Sequence, residues 1–103
     1  MIVLVFSYDV RDTVDAAEFE RVYGPEGEWA QFFRQGAGYV GTELLRDAEL
    51  PGRWLVLDRW ESREAYNAFV EAHRDEYMRR VDETAGYYDQ ELRFGTFENV
   101  WPE

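Results

Sequence analysis

Residues 53–66, RWLVLDRWESREAY, join a strand to a helix and decide the fold. Residues 53–61 are rich in β-branched and aromatic side chains, which favour an extended strand. Ser62 is a suitable N-cap, and Glu64 places an acidic side chain in the first turn, where the helix dipole favours it. We therefore predict a strand over 53–61 and a helix that begins after Ser62 and runs to about Glu83.

The residues before this stretch supply its antiparallel partner. Residues 39–46, YVGTELLR, have the composition of a second strand. Leu50-Pro51-Gly52 between the two strands is a turn signal, because proline and glycine adopt the backbone angles that tight turns need. The two strands are therefore predicted to form a hairpin.

Two more strands and the remaining helical region lie further out. Residues 2–8 (IVLVFSY) and 92–99 (LRFGTFEN) favour strands. Between residues 15 and 35 apolar side chains recur at helical spacing, but Gly24-Pro25 interrupts the pattern because proline lacks the amide donor. We expect two short helical pieces around this break.

The resulting order, β-α-β-β-α-β, predicts a ferredoxin-like α+β fold with one four-stranded antiparallel sheet and both helices on one face. We expect one domain over residues 1–103, with the first and third strands at the centre of the sheet. Because the first strand is apolar on both sides, the face away from the helices needs cover. We place Leu4, Phe6 and their neighbours on that face and predict a homodimer joined through it.

Composition narrows the function by exclusion. The 22 acidic and 11 basic residues give a formal charge of −11, which leaves no broad basic surface for nucleic acid or an anionic membrane. With no cysteine, one histidine and no glycine-rich phosphate loop, we expect no metal and no organic cofactor. The longest apolar run, residues 1–6, is too short for a membrane span or a signal peptide, so we expect a cytoplasmic protein.

Three segments carry a family resemblance. Residues 58–66 (DRWESREAY), 38–47 (GYVGTELLRD) and 51–55 (PGRWL) resemble the antibiotic biosynthesis monooxygenase-like proteins of the dimeric α+β barrel group. The resemblance implies a homodimer in which two sheets face each other as a barrel, with a cavity in each subunit between sheet and helices. Members of the group include cofactor-independent oxygenases of polycyclic phenols and haem-degrading oxygenases.

The resemblance also bears on haem. Its haem-degrading members carry an asparagine on the first strand and a tryptophan and a histidine on the second helix. The aligned positions here hold Ser7, Phe69 and Arg79, so the resemblance disfavours haem degradation. His73 remains a candidate iron ligand in a shifted register.

The candidate catalytic residues are His73, Tyr77 and Asp58. Burial of His73 in the apolar stripe of the second helix favours the neutral imidazole that acts as a general base, although a core histidine bonded to a carboxylate or carbonyl is the more common case. Asp58 lies on one strand face between Trp54 and Trp60, where desolvation raises the pKa of a carboxyl group. An ion pair with an arginine is the alternative we favour for Asp58.

Aromatic side chains suit a planar aromatic ligand, although residues at these spacings more often form a plain core. The candidates for substrate binding are Trp60, Tyr66, Phe69, Trp29 and Tyr23. Among them we expect Trp60 to stack on the substrate, and Tyr66, together with Tyr77, to donate hydrogen bonds to a developing oxyanion.

The resemblance, together with these residues, implies a cofactor-independent monooxygenase acting on a small aromatic or polycyclic phenolic substrate. With His73 as the base, the deprotonated substrate itself reduces dioxygen. One alternative is a non-catalytic dimeric protein that binds a small hydrophobic ligand in the same cavity. Another is an isomerase or lyase of the same fold, which uses the same base without oxygen.

Overall fold

The computed structural model describes residues 1–100, which form a four-stranded antiparallel sheet with helices on one face. The strands are β1 (Ile2–Val10), β2 (Tyr39–Arg46), β3 (Arg53–Trp60) and β4 (Tyr88–Glu98). The helices are α1 (Ala16–Tyr23), α2 (Glu28–Phe33), α3 (Arg63–Ala72) and α4 (Arg74–Thr84), and a 3-10 turn, Ala85–Tyr87, precedes β4. The predicted element order is confirmed, with each helical region divided in two.

The strand order β2-β3-β1-β4 places β1 and β3 at the centre of the sheet, as predicted. This is the ferredoxin-like α+β arrangement. In the part of the chain that the structure describes, no helix is long and apolar enough to cross a membrane. The two central strands carry the side chains on which the helices pack.

The assignment of the two sheet faces needs a correction. Leu4 is 2% exposed and packs beneath the helices with Trp60, and Phe6 packs against the same core, so neither lies on the open face. Alternation along β1 instead turns Val3 and Val5 to the open side. The large side chains of β3 determine which face is buried, because only the core beneath the helices is deep enough to enclose them.

The open face is apolar even so. Val3 and Val5 lie beside Leu57 of β3, and none of the three belongs to the core beneath the helices. Towards the sheet edges, Leu45 and Phe97 on the same face are 42% and 51% exposed. The chain therefore presents a contiguous hydrophobic surface on the side away from its helices.

The predicted break at Gly24-Pro25 is confirmed, since α1 ends at Tyr23 and α2 begins at Glu28. The prediction of one continuous helix from Ser62 to Glu83 was wrong. Ser62 does cap α3, with its Oγ accepting from the Ala65 amide at 3.1 Å. The helix nevertheless breaks at His73.

The backbone of His73 has φ −120° and ψ 30°, outside the helical range. Its ring Nδ1 lies 3.1 Å from the Phe69 carbonyl oxygen, which also accepts from the His73 amide. A side chain that enters the i to i−4 hydrogen-bond ladder in this way bends a helix, and here it redirects the chain into α4.

The last strand begins earlier than expected. The strand was predicted over residues 92–99, but β4 starts at Tyr88 and pairs with the end of β1, with Glu91 opposite Tyr8. The signal was missed because this end of β4 is polar and partly solvent-exposed, so it lacks an apolar pattern. The difference brings Glu91 onto the helix-facing side of the sheet.

Gly36 allows α2 and α3 to approach closely. A Cβ atom at this position would lie 2.6 Å from a Phe69 ring carbon and 2.9 Å from a Trp60 ring carbon, both in the buried core. At Gly86 a Cβ atom would meet nothing within 4 Å. The two glycines therefore form a matched pair for a packing test.

We expect Gly36→Ala to lower the free energy of unfolding by about 1–3 kcal/mol through overpacking. Gly86→Ala should change that free energy by less than about 1 kcal/mol. Urea unfolding followed by tryptophan fluorescence measures both. Equal effects of the two substitutions would contradict the packing described here.

Candidate active site

A cavity lies between the helix-facing side of the sheet and the helices. The enclosed part of the cavity has a volume of about 100 Å³, and the space that includes its open mouth is about 580 Å³. Most of the side chains that line it are aromatic or aliphatic. The aromatic walls include Phe6, Tyr8, Tyr23, Trp29, Tyr77 and Tyr88.

Asp58 contributes a carboxylate to the cavity wall. Alternation along β3 places it on the helix-facing side, where it is 7% exposed. The β2–β3 register puts Thr42 directly opposite, and the Thr42 hydroxyl donates to Asp58 Oδ1 at 2.6 Å. Within residues 1–100, the other oxygen, Oδ2, makes no hydrogen bond, so the carboxylate keeps a free acceptor in the cavity wall.

Burial raises the pKa of Asp58 to about 6, and the hydrogen bond from Thr42 offsets part of that rise. The ion pair that we favoured from the sequence does not form, since no arginine lies within salt-bridge distance of Asp58 in the described part of the chain. At pH 7 the carboxyl group is therefore mostly ionised while being a stronger base than an exposed aspartate.

A hydrogen-bond chain leads from Asp58 towards the surface. The hydroxyl oxygens of Tyr39 and Thr42 are 2.5 Å apart. Because the single hydroxyl proton of Thr42 goes to Asp58, Tyr39 must donate to Thr42. Tyr39 is partly exposed, so the chain links the buried carboxylate to solvent through two hydroxyl groups.

The other end of the cavity holds a second carboxylate among tyrosines. The Tyr8 hydroxyl donates to Glu91 Oε2 at 2.5 Å, and the ring centroids of Tyr23 and Tyr88 lie 4.9 and 5.0 Å from that of Tyr8. Burial raises the pKa values of both Tyr8 and Tyr23; Tyr23 and Glu91 raise that of Tyr8 further, whereas the hydrogen bond with Thr84 offsets part of the rise at Tyr23. These phenols therefore stay protonated and act as donors. In the described residues, no three acidic or histidine side chains cluster closely enough to hold a metal ion.

The indole of Trp29 adds a further donor. Trp29 lines the cavity, and within residues 1–100 its buried Nε1 has no hydrogen-bond partner. The indole N–H offsets part of the rise that burial causes in the pKa of Tyr23, so it lies near that hydroxyl group, and an unpaired buried donor gains free energy when it bonds to such a group or to a ligand.

The candidates named from the sequence fall into two groups. Asp58, Tyr77, Trp29 and Tyr23 line the cavity together. Trp60, Phe69 and Tyr66 instead pack with one another in the neighbouring core, where Trp60 is fully buried. Burial, and next the Tyr77 hydroxyl, raises the pKa of Tyr66.

His73 also lies outside the cavity wall. Its ring stacks on Phe69 with centroids 4.3 Å apart and meets the edge of Phe32, while Nδ1 is held by the Phe69 carbonyl. This placement matches the more common case of a histidine whose ring nitrogen is satisfied by a backbone carbonyl. Nothing in it brings His73 to the Asp58 carboxylate.

Two residues of the site were missed in the sequence. Thr42 was detectable, because a hairpin that pairs Arg46 with Trp54 also pairs Thr42 with Asp58. Glu91 was hidden by the late predicted start of the last strand.

Comparison with protein families matches residues 1–81 to the model described as antibiotic biosynthesis monooxygenase. The search of curated proteins gave no match. Among solved structures, two of SnoaB, a cofactor-independent oxygenase from Streptomyces nogalater, are 20% identical, with TM-scores of 0.78 and 0.74 over 99% of this chain and 97% of theirs.

Two further solved structures have similar folds. The protein At3g17210 from Arabidopsis thaliana is 14% identical, with a TM-score of 0.75 over 97% of this chain and 96% of its own. MhuD, with two manganese protoporphyrin IX molecules bound per active site, is 22% identical, with a TM-score of 0.68 over 97% of this chain and 95% of its own. At these identities the likeness establishes the fold.

The raised pKa of Asp58 has a consequence for stability. Its usual pKa is 3.8 and its value in the folded protein is about 6, so the folded protein binds more protons between these pH values than the unfolded chain. Stability is therefore lost as pH rises through this window, by a total of about 3 kcal/mol.

Asp58→Asn removes this titration. The free energy of unfolding of the variant, relative to the native protein, should be higher at pH 8 than at pH 3.5 by up to about 3 kcal/mol. Denaturant unfolding at both pH values measures this change, with Asp75→Asn, an exposed position outside the cavity, as the control. A constant difference between Asp58→Asn and the native protein would show that Asp58 is not titrating as described.

Proposed function

The chain belongs to the antibiotic biosynthesis monooxygenase family, and on that basis we propose that it is a cofactor-independent monooxygenase of a small aromatic or phenolic substrate. The observation that supports this most is the Asp58 carboxylate, buried in the wall of an aromatic cavity with a free oxygen and a pKa raised to about 6. The similarity in fold to SnoaB, itself a cofactor-independent oxygenase, supports the same class of reaction.

We assign the role of general base to Asp58 instead of His73. A base works best when its pKa lies near the working pH, and Asp58 is both near that range and in the cavity. When Asp58 removes a proton from a neutral substrate, the negative charge passes from the carboxylate to the substrate. The total charge of the site is unchanged, so the step needs no cationic side chain.

The oxygen step follows from the deprotonated substrate. A substrate CH₂ group next to an aromatic ring loses one proton to Asp58, and the carbanion passes one electron to dioxygen. The resulting radical and superoxide combine to form a C–O bond, and Asp58 returns its proton to the peroxide. Loss of the second C–H proton then breaks the O–O bond, so that CH₂ and O₂ give C=O and H₂O.

The other side chains bind and position. The Tyr77 hydroxyl and the unpaired Trp29 indole N–H supply hydrogen bonds for an oxyanion formed in the cavity. The aromatic walls exclude water, which would otherwise protonate the carbanion. Thr42 holds the Asp58 carboxylate in one orientation through its 2.6 Å hydrogen bond.

We also propose a homodimer through the open sheet face. The apolar surface formed by Val3, Val5, Leu57 and Phe97 supports it, because a monomer would leave this surface in water. Two such sheets packed face to face would bury both surfaces at a spacing of about 10 Å.

Haem does not fit the residues present. His73 is the sole histidine, and its ring lies against Phe69 and Phe32 outside the cavity, with Nδ1 bonded to a carbonyl.

Two alternative functions would use the same cavity: binding of a ligand without catalysis, and an isomerase or lyase reaction. Dioxygen uptake distinguishes an oxygenase from both.

The catalytic assignment predicts that Asp58→Asn slows dioxygen consumption with anthrone at least about 100-fold, the lower range for loss of a general base. With the native protein, kcat/KM should rise with pH through about 6, because the base acts when deprotonated. An oxygen electrode measures both, with Asp75→Asn as the control of equal charge change.

Retained activity in Asp58→Asn would disprove the assignment. Anthrone binding without dioxygen uptake by the native protein would instead favour the ligand-binding alternative or the isomerase and lyase alternative.

For the assembly, light scattering at micromolar concentration should give twice the 12.3 kDa chain mass. Val5→Glu should yield monomers, because it places a charge on the open face. Met78→Glu, at an exposed position on α4, should leave the dimer intact. A native monomer would refute the proposed dimer.

A further inference from the structure

The cavity is acidic as well as aromatic. Asp58 and Glu91 both line it, and among the described residues that form its wall there is no arginine or histidine. The chain has no lysine. The wall of this cavity therefore carries two carboxylates, and the nearby cation, Arg93, lies over the Phe6 ring with its Cζ atom 6.0 Å from the ring centroid.

Glu91 has no arginine partner of its own within residues 1–100. Its contact is the Tyr8 hydroxyl, and the nearest arginine along β4, Arg93, donates instead to Thr96 Oγ1 at 2.9 Å. The Tyr8 hydroxyl contacts this carboxylate, and the rings of Tyr23 and Tyr88 lie next to the Tyr8 ring, with centroids 4.9 and 5.0 Å away. Besides burial, the charge of Glu91 helps to raise the pKa of all three tyrosines. A carboxylate beside several aromatic rings is the chemistry that recognises an organic cation, through charge and through the negative faces of the rings.

The two carboxylates lie at different depths. Asp58 is opposite Leu4 and Glu91 is opposite Tyr8, four residues further along β1. At the usual rise this corresponds to about 13 Å along the strand. Asp58 is nearly buried whereas Glu91 is exposed at the cavity mouth, so the two groups can contact opposite ends of one ligand.

We propose that the natural ligand is an aromatic molecule carrying an ammonium group, with the ammonium bound by Glu91 and the rings of Tyr8, Tyr23 and Tyr88, and the aromatic part towards Asp58. This proposal rests on the proposed function, because it assumes that the same cavity is the substrate site. Asp58 supports it independently, as a carboxylate in the cavity wall that is 7% exposed and whose Oδ2 makes no hydrogen bond within residues 1–100. The same two negative charges disfavour an anionic aromatic ligand.

Three naphthalene probes of similar shape test the proposal: 2-naphthylmethylamine, 2-naphthylmethanol and 2-naphthoate. Isothermal titration calorimetry at pH 7.5 and 150 mM salt should show the amine binding about 10- to 100-fold more tightly than the alcohol, as expected for a charge-assisted hydrogen bond. The carboxylate probe should bind most weakly.

Glu91→Gln keeps an acceptor for the Tyr8 hydroxyl and removes the charge, so the preference for amine over alcohol should fall to about threefold or less. Glu98→Gln removes the same charge from the same strand outside the cavity wall and should keep the preference. Circular dichroism confirms that both variants are folded.

Equal binding of amine and alcohol, tightest binding of the naphthoate, no binding of any probe, or an unchanged preference in Glu91→Gln would each overturn the proposal. The proposed oxygenase function is tested by a separate measurement, the dioxygen uptake of the native protein and of Asp58→Asn with anthrone. Because anthrone is uncharged, that measurement does not depend on whether the cavity prefers an ammonium group. The two failures are therefore distinguishable.

Discussion

The register of β3 within the sheet is the constraint on which the molecule depends. It turns Trp54, Val56, Asp58 and Trp60 to the helices, and a slip of one residue would send all four to the opposite face. Because three of these side chains are large and apolar, burying them on the helix side is strongly favourable. Asp58 is thereby held among nonpolar side chains, where its carboxylate loses hydration. The packing of its neighbours on β3 offsets this desolvation free energy.

Much of the fold could be predicted because its signals are local. The turn at Leu50-Pro51-Gly52, the Ser62 cap and the interruption at Gly24-Pro25 each depend on the preference of a few adjacent residues. The break at His73 was not predictable from spacing, since it depends on a side-chain contact with the Phe69 carbonyl. Which face of β1 lies beneath the helices was also missed, because both faces are apolar and the decision depends on tertiary packing.

The site was partly predictable for the same reason. Alternation on one strand identified Asp58, whereas its partner Thr42 requires the pairing of two strands and Glu91 requires the long register of β1 with β4. His73 stood out in the sequence because it is the one histidine. The rarity of a residue type does not, however, indicate whether its side chain points into the cavity or into the core. The homodimer, the absence of a cofactor and the cytoplasmic location stay predictions.

The sheet order has a consequence for how such a protein changes over evolution. Asp58 lies on an inner strand and is enclosed by core side chains, so almost any replacement there disturbs packing. Glu91 lies on the edge strand β4 and is partly in solvent, where new side chains are accommodated with little effect on folding. Descendants of one ancestor are thereby free to acquire new ligand preferences through β4 while retaining the same reactive group on β3.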